Sequence, residues 1–456
     1  MMFFIGNNKQ MKRTTIFDRY HTTLGFYEPS FFHLYTNGYG ILKEIGQWDT
    51  EQKYIFLHEY VHFLQDISTI QGFNNFFIWG EYFRNVKKFI ANNHVSNIIT
   101  PIEPSSLKNN VDQNWLASNF TIGNDTDVLL ALSYSKFHEI NLTDYNNGSI
   151  IPLNVIKVRC LSIFGETEIT LGSLQIMEGM ASLIQEFVYP ESIGDSPYNP
   201  YYIAKDIADM IMPGISLKPL VMLSLYDYSL QASNPGWAFV NYLEEKVRGN
   251  YTADTLTAEM VYEDLSKTSI TLSEPFGKQF FPNSLFGFAD GAKDVMSEYL
   301  NGSVMWNNID RWFQDLVDTG KWLRKKHPNF FLLLMQDGDI AKNKMFKYLI
   351  KKTGTPIISN DGDDFDFVRP LNSYISKREM VYMYAMMQVQ RVFLSSGDDF
   401  RCPLIKYCEN ASCIIDRNKV DSNCYSTPWK RKSICPCYFS TWWNYMGLND
   451  IQINRP

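Results

Sequence analysis

Residues 55–64 read Ile55-Phe56-Leu57-His58-Glu59-Tyr60-Val61-His62-Phe63-Leu64, and this stretch decides how the rest of the chain is read. Just upstream, Asp49-Thr50-Glu51-Gln52 offers a cap residue with a glutamine three positions later, the spacing of a capping box, so a helix opens there. It is expected to run to about Thr69 and stop at Gly72, with a second helix at roughly Asn74–Asn92. Helical residues four apart share one face. His58 and His62 can therefore aim ring nitrogens at one ion. Glu59, one position along from His58, stands beside that ion, where it can polarise a water molecule. The ion expected is zinc, held tetrahedrally by three protein ligands with one position open. Ile55, Phe56, Leu57, Tyr60, Val61, Phe63, Leu64 and Ile67 cover almost the whole circumference, and a helix apolar all round is buried. Two imidazoles and a carboxylate inside such a helix need compensation, which a metal supplies.

Composition narrows the function classes. The chain has 456 residues, 45% hydrophobic and 20% charged, enough apolar material for a large core and too little charge for a disordered chain. A net charge of −7 argues against general nucleic-acid binding, which needs a basic surface. The longest apolar runs, such as Phe330–Met335, fall well short of the roughly 18–20 residues that span a bilayer. The first ten residues have neither a basic n-region nor a sustained apolar h-region, so a cytoplasmic address is expected.

The third ligand has two candidates. Glu178 is the only acid between Leu171 and Ile184, in an apolar helix expected at Ser173–Phe187. Its neighbours Gly179, Ala181 and Ser182 are small and would let that helix approach the histidine-bearing one. Glu81 follows His62 after 18 residues, with Asn85 and Lys88 as helical neighbours. His58-Glu59-x-x-His62 followed by Glu178-Gly179-Met180-Ala181 resembles the gluzincin, or thermolysin-like, zinc metallopeptidases over about residues 30–190. The gap to Glu81 resembles their aminopeptidase branch, without the Gly-x-Ala that follows Glu178. The 115 residues between His62 and Glu178 exceed the spacing of the short-spaced gluzincins.

The resemblance implies a zincin-like core: an α+β, predominantly helical fold with a small N-terminal sheet over the histidine helix. It implies zinc on His58, His62 and Glu178, Glu59 as general base, and a peptide or protein substrate. Hydrolysis of a non-peptide amide or ester, or an inactive core kept for protein interaction, are the alternatives. A strand expected in the Gly40–Ile45 region would pair with an extended substrate. Asp66, one turn beyond His62, is a candidate acceptor for an imidazole N–H. His138-Glu139 lies in a polar insertion at about 102–154, read as loops and short elements. The core is assigned to 1–190, a helical domain to 191–400 and a separate tail to 401–456. A cytosolic peptidase also needs restraint, which makes a regulatory protein partner an expectation.

Six of the seven cysteines, Cys402, Cys408, Cys413, Cys424, Cys435 and Cys437, fall within 36 residues of that tail. Clustered thiols in a reducing compartment are metal-bound more often than disulfide-bonded, so a second, structural zinc is a candidate for this region. Trp429, Trp442, Trp443 and Tyr445 suggest that the tail packs back on the body or binds a partner. Cys160, alone in an apolar segment, reads as core.

Overall fold

The computed structural model describes all residues except 1–19, 22–24, 29–32, 37–41, 93–96, 103–109, 145–147, 193–195, 272–277, 301–305, 360–364, 372, 395–399, 403, 410–419, 432–436, 450 and 455–456. The expectations that rest on Cys413 and Cys435 lie outside the described residues.

The strands are β1 (Tyr20–His21), β2 (Gly25–Glu28), β3 (His33–Thr36), β4 (Asn97–Ile99), β5 (Leu130–Thr143), β6 (Ile150–Ser162), β7 (Gly165–Leu171), β8 (Ser269–Thr271), β9 (Lys278–Phe280), β10 (Ile357–Ser359), β11 (Phe365–Asp366) and β12 (Gln452–Asn454). The helices are α1 (Thr50–Ser68), α2 (Ile70–Asn92), α3 (Asn110–Thr121), α4 (Ser173–Val188), α5 (Tyr198–Tyr201), α6 (Ile203–Ile211), α7 (Pro219–Leu230), α8 (Pro235–Arg248), α9 (Ala258–Lys267), α10 (Asn283–Leu300), α11 (Asn307–Lys326), α12 (Phe330–Leu334), α13 (Lys344–Thr353), α14 (Lys377–Arg391), α15 (Ile405–Glu409) and α16 (Tyr438–Tyr445). The fold is thus α+β and mostly helical, with small sheets. Among the described residues, no helix is long and apolar enough to cross a membrane.

Helix α1 opens where its cap residue predicts: the Asp49 carboxylate accepts the Gln52 N–H at 2.8 Å. Ile55 to Ser68 is buried without interruption, as its apolar circumference requires. The helix stops earlier than Gly72. Thr69 turns extended, its hydroxyl donating to the Gln65 carbonyl (2.7 Å) and accepting from Gly72 N–H (3.0 Å), and α2 starts at once. Gly72 lies inside α2 because a Cβ there would fall 2.3 Å from the Asp66 Cα. Its role is close approach of the two helices.

Over α1 lies a sheet of order β1-β2-β3-β10-β11, antiparallel except where β10 runs parallel to β3. The expected N-terminal sheet is therefore completed by residues 357–366. The strand expected at Gly40–Ile45 is not formed: Leu42–Gln47 is a 3-10 helix, and Gly40 and Ile41 lie outside the described residues. The Leu-Lys-Glu-Ile sequence lacks the β-branched run that favours a strand. The segment read as a loop-rich insertion instead holds α3 and the long antiparallel pair β5–β6, joined to β7. Most of β5 is exposed or half-buried, so this sheet tolerates the polar composition that otherwise reads as loop.

β7 passes through Gly172 directly into α4, which packs against α1 and α7 and carries Glu178 into the core. Gly179 does not face α1; a Cβ there would press on the Tyr226 ring of α7 at 3.1 Å. A fully buried ion pair ties α1, α7 and α11 together. Arg324 grips both Asp227 oxygens (2.7 and 2.6 Å) and donates to the Ser68 (2.6 Å) and Pro328 (2.8 Å) carbonyls, while the Tyr262 hydroxyl donates to Asp227 at 2.9 Å. The tail packs back on the body. Trp442 of α16 stacks on Trp306 (4.2 Å between centroids), Trp443 stacks on Phe393, and β12 pairs with β4.

Removing one partner of the Arg324–Asp227 pair strands a charge in the core. Arg324→Ala is expected to cost about 3–5 kcal/mol by chemical denaturation, and Arg324→Met with Asp227→Leu much less. Equal losses in the single and double variants would contradict this reading.

Candidate metal centre

His58 and His62 stand one turn apart on α1, and Glu178 reaches them from the middle of α4. Their facing atoms converge: His58 Nε2 to Glu178 Oε2 is 3.0 Å, His62 Nε2 to Glu178 Oε2 is 3.3 Å, and the two Nε2 atoms are 3.2 Å apart. Tetrahedral zinc bonds of about 2.0–2.1 Å would set ligand atoms roughly 3.3 Å from one another. Among the described residues this is the one group of three His, Cys, Asp or Glu side chains whose ligand atoms all lie within 4.8 Å. It can hold a metal ion.

The outer nitrogens decide which ring atoms are left to bind. Gln65 Nε2 donates to the Met177 carbonyl at 3.0 Å, which turns Gln65 Oε1 toward His62 Nδ1 at 2.9 Å. Gln185 Oε1 faces His58 Nδ1 at 2.8 Å. Each Nδ1 thus donates its proton to an amide oxygen, and each Nε2 keeps its lone pair toward the other ligands. Two lone pairs and a carboxylate meet where His58 is 2% exposed and His62, Glu59 and Glu178 are 0%. Such an arrangement repels itself unless a cation joins it.

In the metal-free chain a proton fills that role. Burial works against a charged His62, yet the Glu178 carboxylate, helped by Glu59, pushes its pKa up to about 9. Burial also works against Glu178 as an anion, but the His62 charge and the His58 hydrogen bond hold it down to about 2. For His58, burial prevails over Glu178 and the pKa is lowered. The direction of these shifts favours a proton held between His62 and Glu178.

Glu59 is next to His58 in sequence, fully buried, and close enough that its charge acts on both His62 and Tyr201. Tyr201, at the end of α5, was not singled out in the sequence. Its ring lies 5.8 Å from that of His58, and its phenol is held well above the usual range by burial and by the Glu178 and Glu59 charges, so it stays a donor. Gln65 and Gln185 were also missed. Their signal is positional: Gln65 is three residues beyond His62, and Gln185 is two turns beyond Glu178 on α4. Asp66 accepts the Tyr27 hydroxyl at 2.9 Å, and the Tyr27 ring stacks on His62.

The other sequence candidates lie elsewhere. Glu81 forms an ion pair with Arg84 at 2.5 Å on α2 and is not part of the group. His138 is exposed on β5, and Glu139 pairs with Lys157 at 3.0 Å. Cys160 is buried core. No protein-family model, curated protein or solved structure matches the chain.

Two outcomes follow from this arrangement. Glu178→Ala is expected to lower the bound metal by one ion per chain, counted by elemental mass spectrometry, while Glu81→Ala leaves it unchanged; the reverse pattern would move the centre to α2. The second concerns pH. A His62 pKa raised from 6.5 to about 9 stabilises the metal-free fold fully below pH 6.5 and stops doing so as the pH rises through about 9. Metal-loaded protein has already given up that proton. The Tm gap between loaded and metal-free protein should therefore widen from pH 6.5 to 9; parallel curves would contradict the assignment.

Proposed function

We propose that the protein is a zinc-dependent hydrolase of peptide bonds. The observation that carries the reading is the convergence of His58, His62 and Glu178 on one point, with Glu59 one helical position from a ligand. Zinc held there supplies a Lewis acid and lowers the pKa of water. Glu59 accepts the proton of the attacking water on its carboxylate and passes it to the leaving amine nitrogen. Tyr201 remains protonated and is the donor for negative charge that develops on the substrate oxygen. Gln65 and Gln185 fix the imidazole tautomers, so both rings present their Nε2 atoms. A peptide or protein substrate, a cytoplasmic setting and a restraining protein partner belong to the same proposal.

One observation favours a second reading. Glu59, His62 and Glu178 are all 0% exposed, which suits a closed metal centre in an interaction protein as well as it suits a gated active site. Catalysis separates the two. Zinc-loaded protein incubated with a peptide library is expected to generate new termini detectable by mass spectrometry. Glu59→Gln should keep its zinc and slow cleavage by about 10²–10⁴-fold. Full activity in Glu59→Gln would overturn the mechanism, and absence of cleavage by the wild type would favour the closed centre.

A further inference from the structure

The four described tail cysteines come from three separate segments and line one cavity. Cys402 precedes α15, Cys408 lies within it, Cys424 sits in the 3-10 turn Ser422–Tyr425, and Cys437 caps α16. The backbone itself draws two of these segments together, with Cys402 N–H donating to the Cys424 carbonyl at 2.8 Å. Cys402, Cys424 and Cys437 are buried, and all four cysteines border a cavity of about 10 Å³. That is about the volume of one water-sized sphere. Buried cysteines usually serve as small apolar fillers. Three buried cysteines and a half-buried fourth around one atom-sized space need another explanation.

We infer that Cys402, Cys408, Cys424 and Cys437 bind a structural zinc ion that organises the tail. Binding four thiols to Zn²⁺ releases four protons and leaves a centre of charge −2. Donors already stand at one of the sulfurs. The Ser440 N–H donates to Cys437 Sγ at 3.4 Å, which caps α16, and the Ser440 hydroxyl is 3.3 Å from both that sulfur and the Cys437 carbonyl. The Arg431 guanidinium borders the same cavity and pairs with Asp421 at 3.5 Å, while Asp421 accepts from the Cys424 thiol at 3.6 Å. Zinc–sulfur bonds of about 2.3 Å would place the sulfurs roughly 3.8 Å apart. No three of the four sulfurs now lie within 4.8 Å of one another. Closing on an ion therefore requires at least two of the four sulfurs to shift.

This site is independent of the histidine centre, and the test keeps them apart. Full-length protein purified under reducing conditions without chelator is expected to carry two zinc ions per chain. Cys402→Ser with Cys424→Ser should carry one, as should His58→Ala with His62→Ala. A mercurial reagent titrated into wild-type protein should release one zinc as about four thiols react, which needs no variant to fold. Cobalt substitution should give a sulfur-to-cobalt charge-transfer band that survives in the histidine variant. No zinc released by the mercurial, or disulfides found among these four cysteines in the reduced preparation, would overturn the proposal.

Discussion

Everything near the centre of this molecule answers to one electrostatic constraint: two imidazole lone pairs and a carboxylate oxygen face one another within 3.0–3.3 Å in a dry interior. In water such groups would be solvated separately. In a core they must be joined by a cation, and the choice is a proton or a metal. The surrounding structure is arranged to keep the problem in place. Gln65 and Gln185 hold the outer ring nitrogens, Tyr27 stacks against His62, and α4 brings Glu178 in as a buried acid whose charge is balanced only at this point. A fold that wanted only packing would place apolar side chains here at lower cost.

The helices that build the centre also show why it is rigid. α1 is buried along most of its length and is clamped at its C-terminal end, where Arg324 takes the Ser68 carbonyl while holding Asp227. α4 follows β7 through Gly172, so the height of Glu178 is set by a sheet strand as well as by helix packing. Ligand positions on two packed helices vary less than positions on loops, which suits groups that must meet within tenths of an ångström.

Much of the centre is legible in the sequence because its residues violate the pattern around them. His58, Glu59 and His62 interrupt an apolar circumference, and Glu178 is the lone acid of an apolar helix; burial makes their convergence the economical solution. Helix α1 and most later helices can be placed for the same reason, since caps such as Asp49 and apolar periodicity are local signals. Residues whose role depends on the facing element are not legible. Tyr201, Gln65 and Gln185 look like ordinary side chains until α4 and α5 are packed on α1. The Gly40–Ile45 region shows the converse, where aromatic and glycine-rich surroundings suggest a strand but Leu42–Gln47 coils into a 3-10 helix. The long β5–β6 pair was hidden because a half-exposed sheet carries as many polar residues as a loop, and β10 and β11 join the N-terminal strands from more than 300 residues away.

The tail follows a different logic. Its aromatic residues dock α16 onto α14, while its cysteines gather around a space too small for a side chain. The histidine centre remains the feature on which any catalytic role depends, and its occupancy is the central claim. Crystals of the full-length protein measured on both sides of the zinc absorption edge test it most directly. The account predicts an anomalous peak about 2.0–2.2 Å from His58 Nε2, His62 Nε2 and a Glu178 oxygen. Well-ordered density for these three side chains with no peak between them, in protein that carries zinc elsewhere, would contradict it.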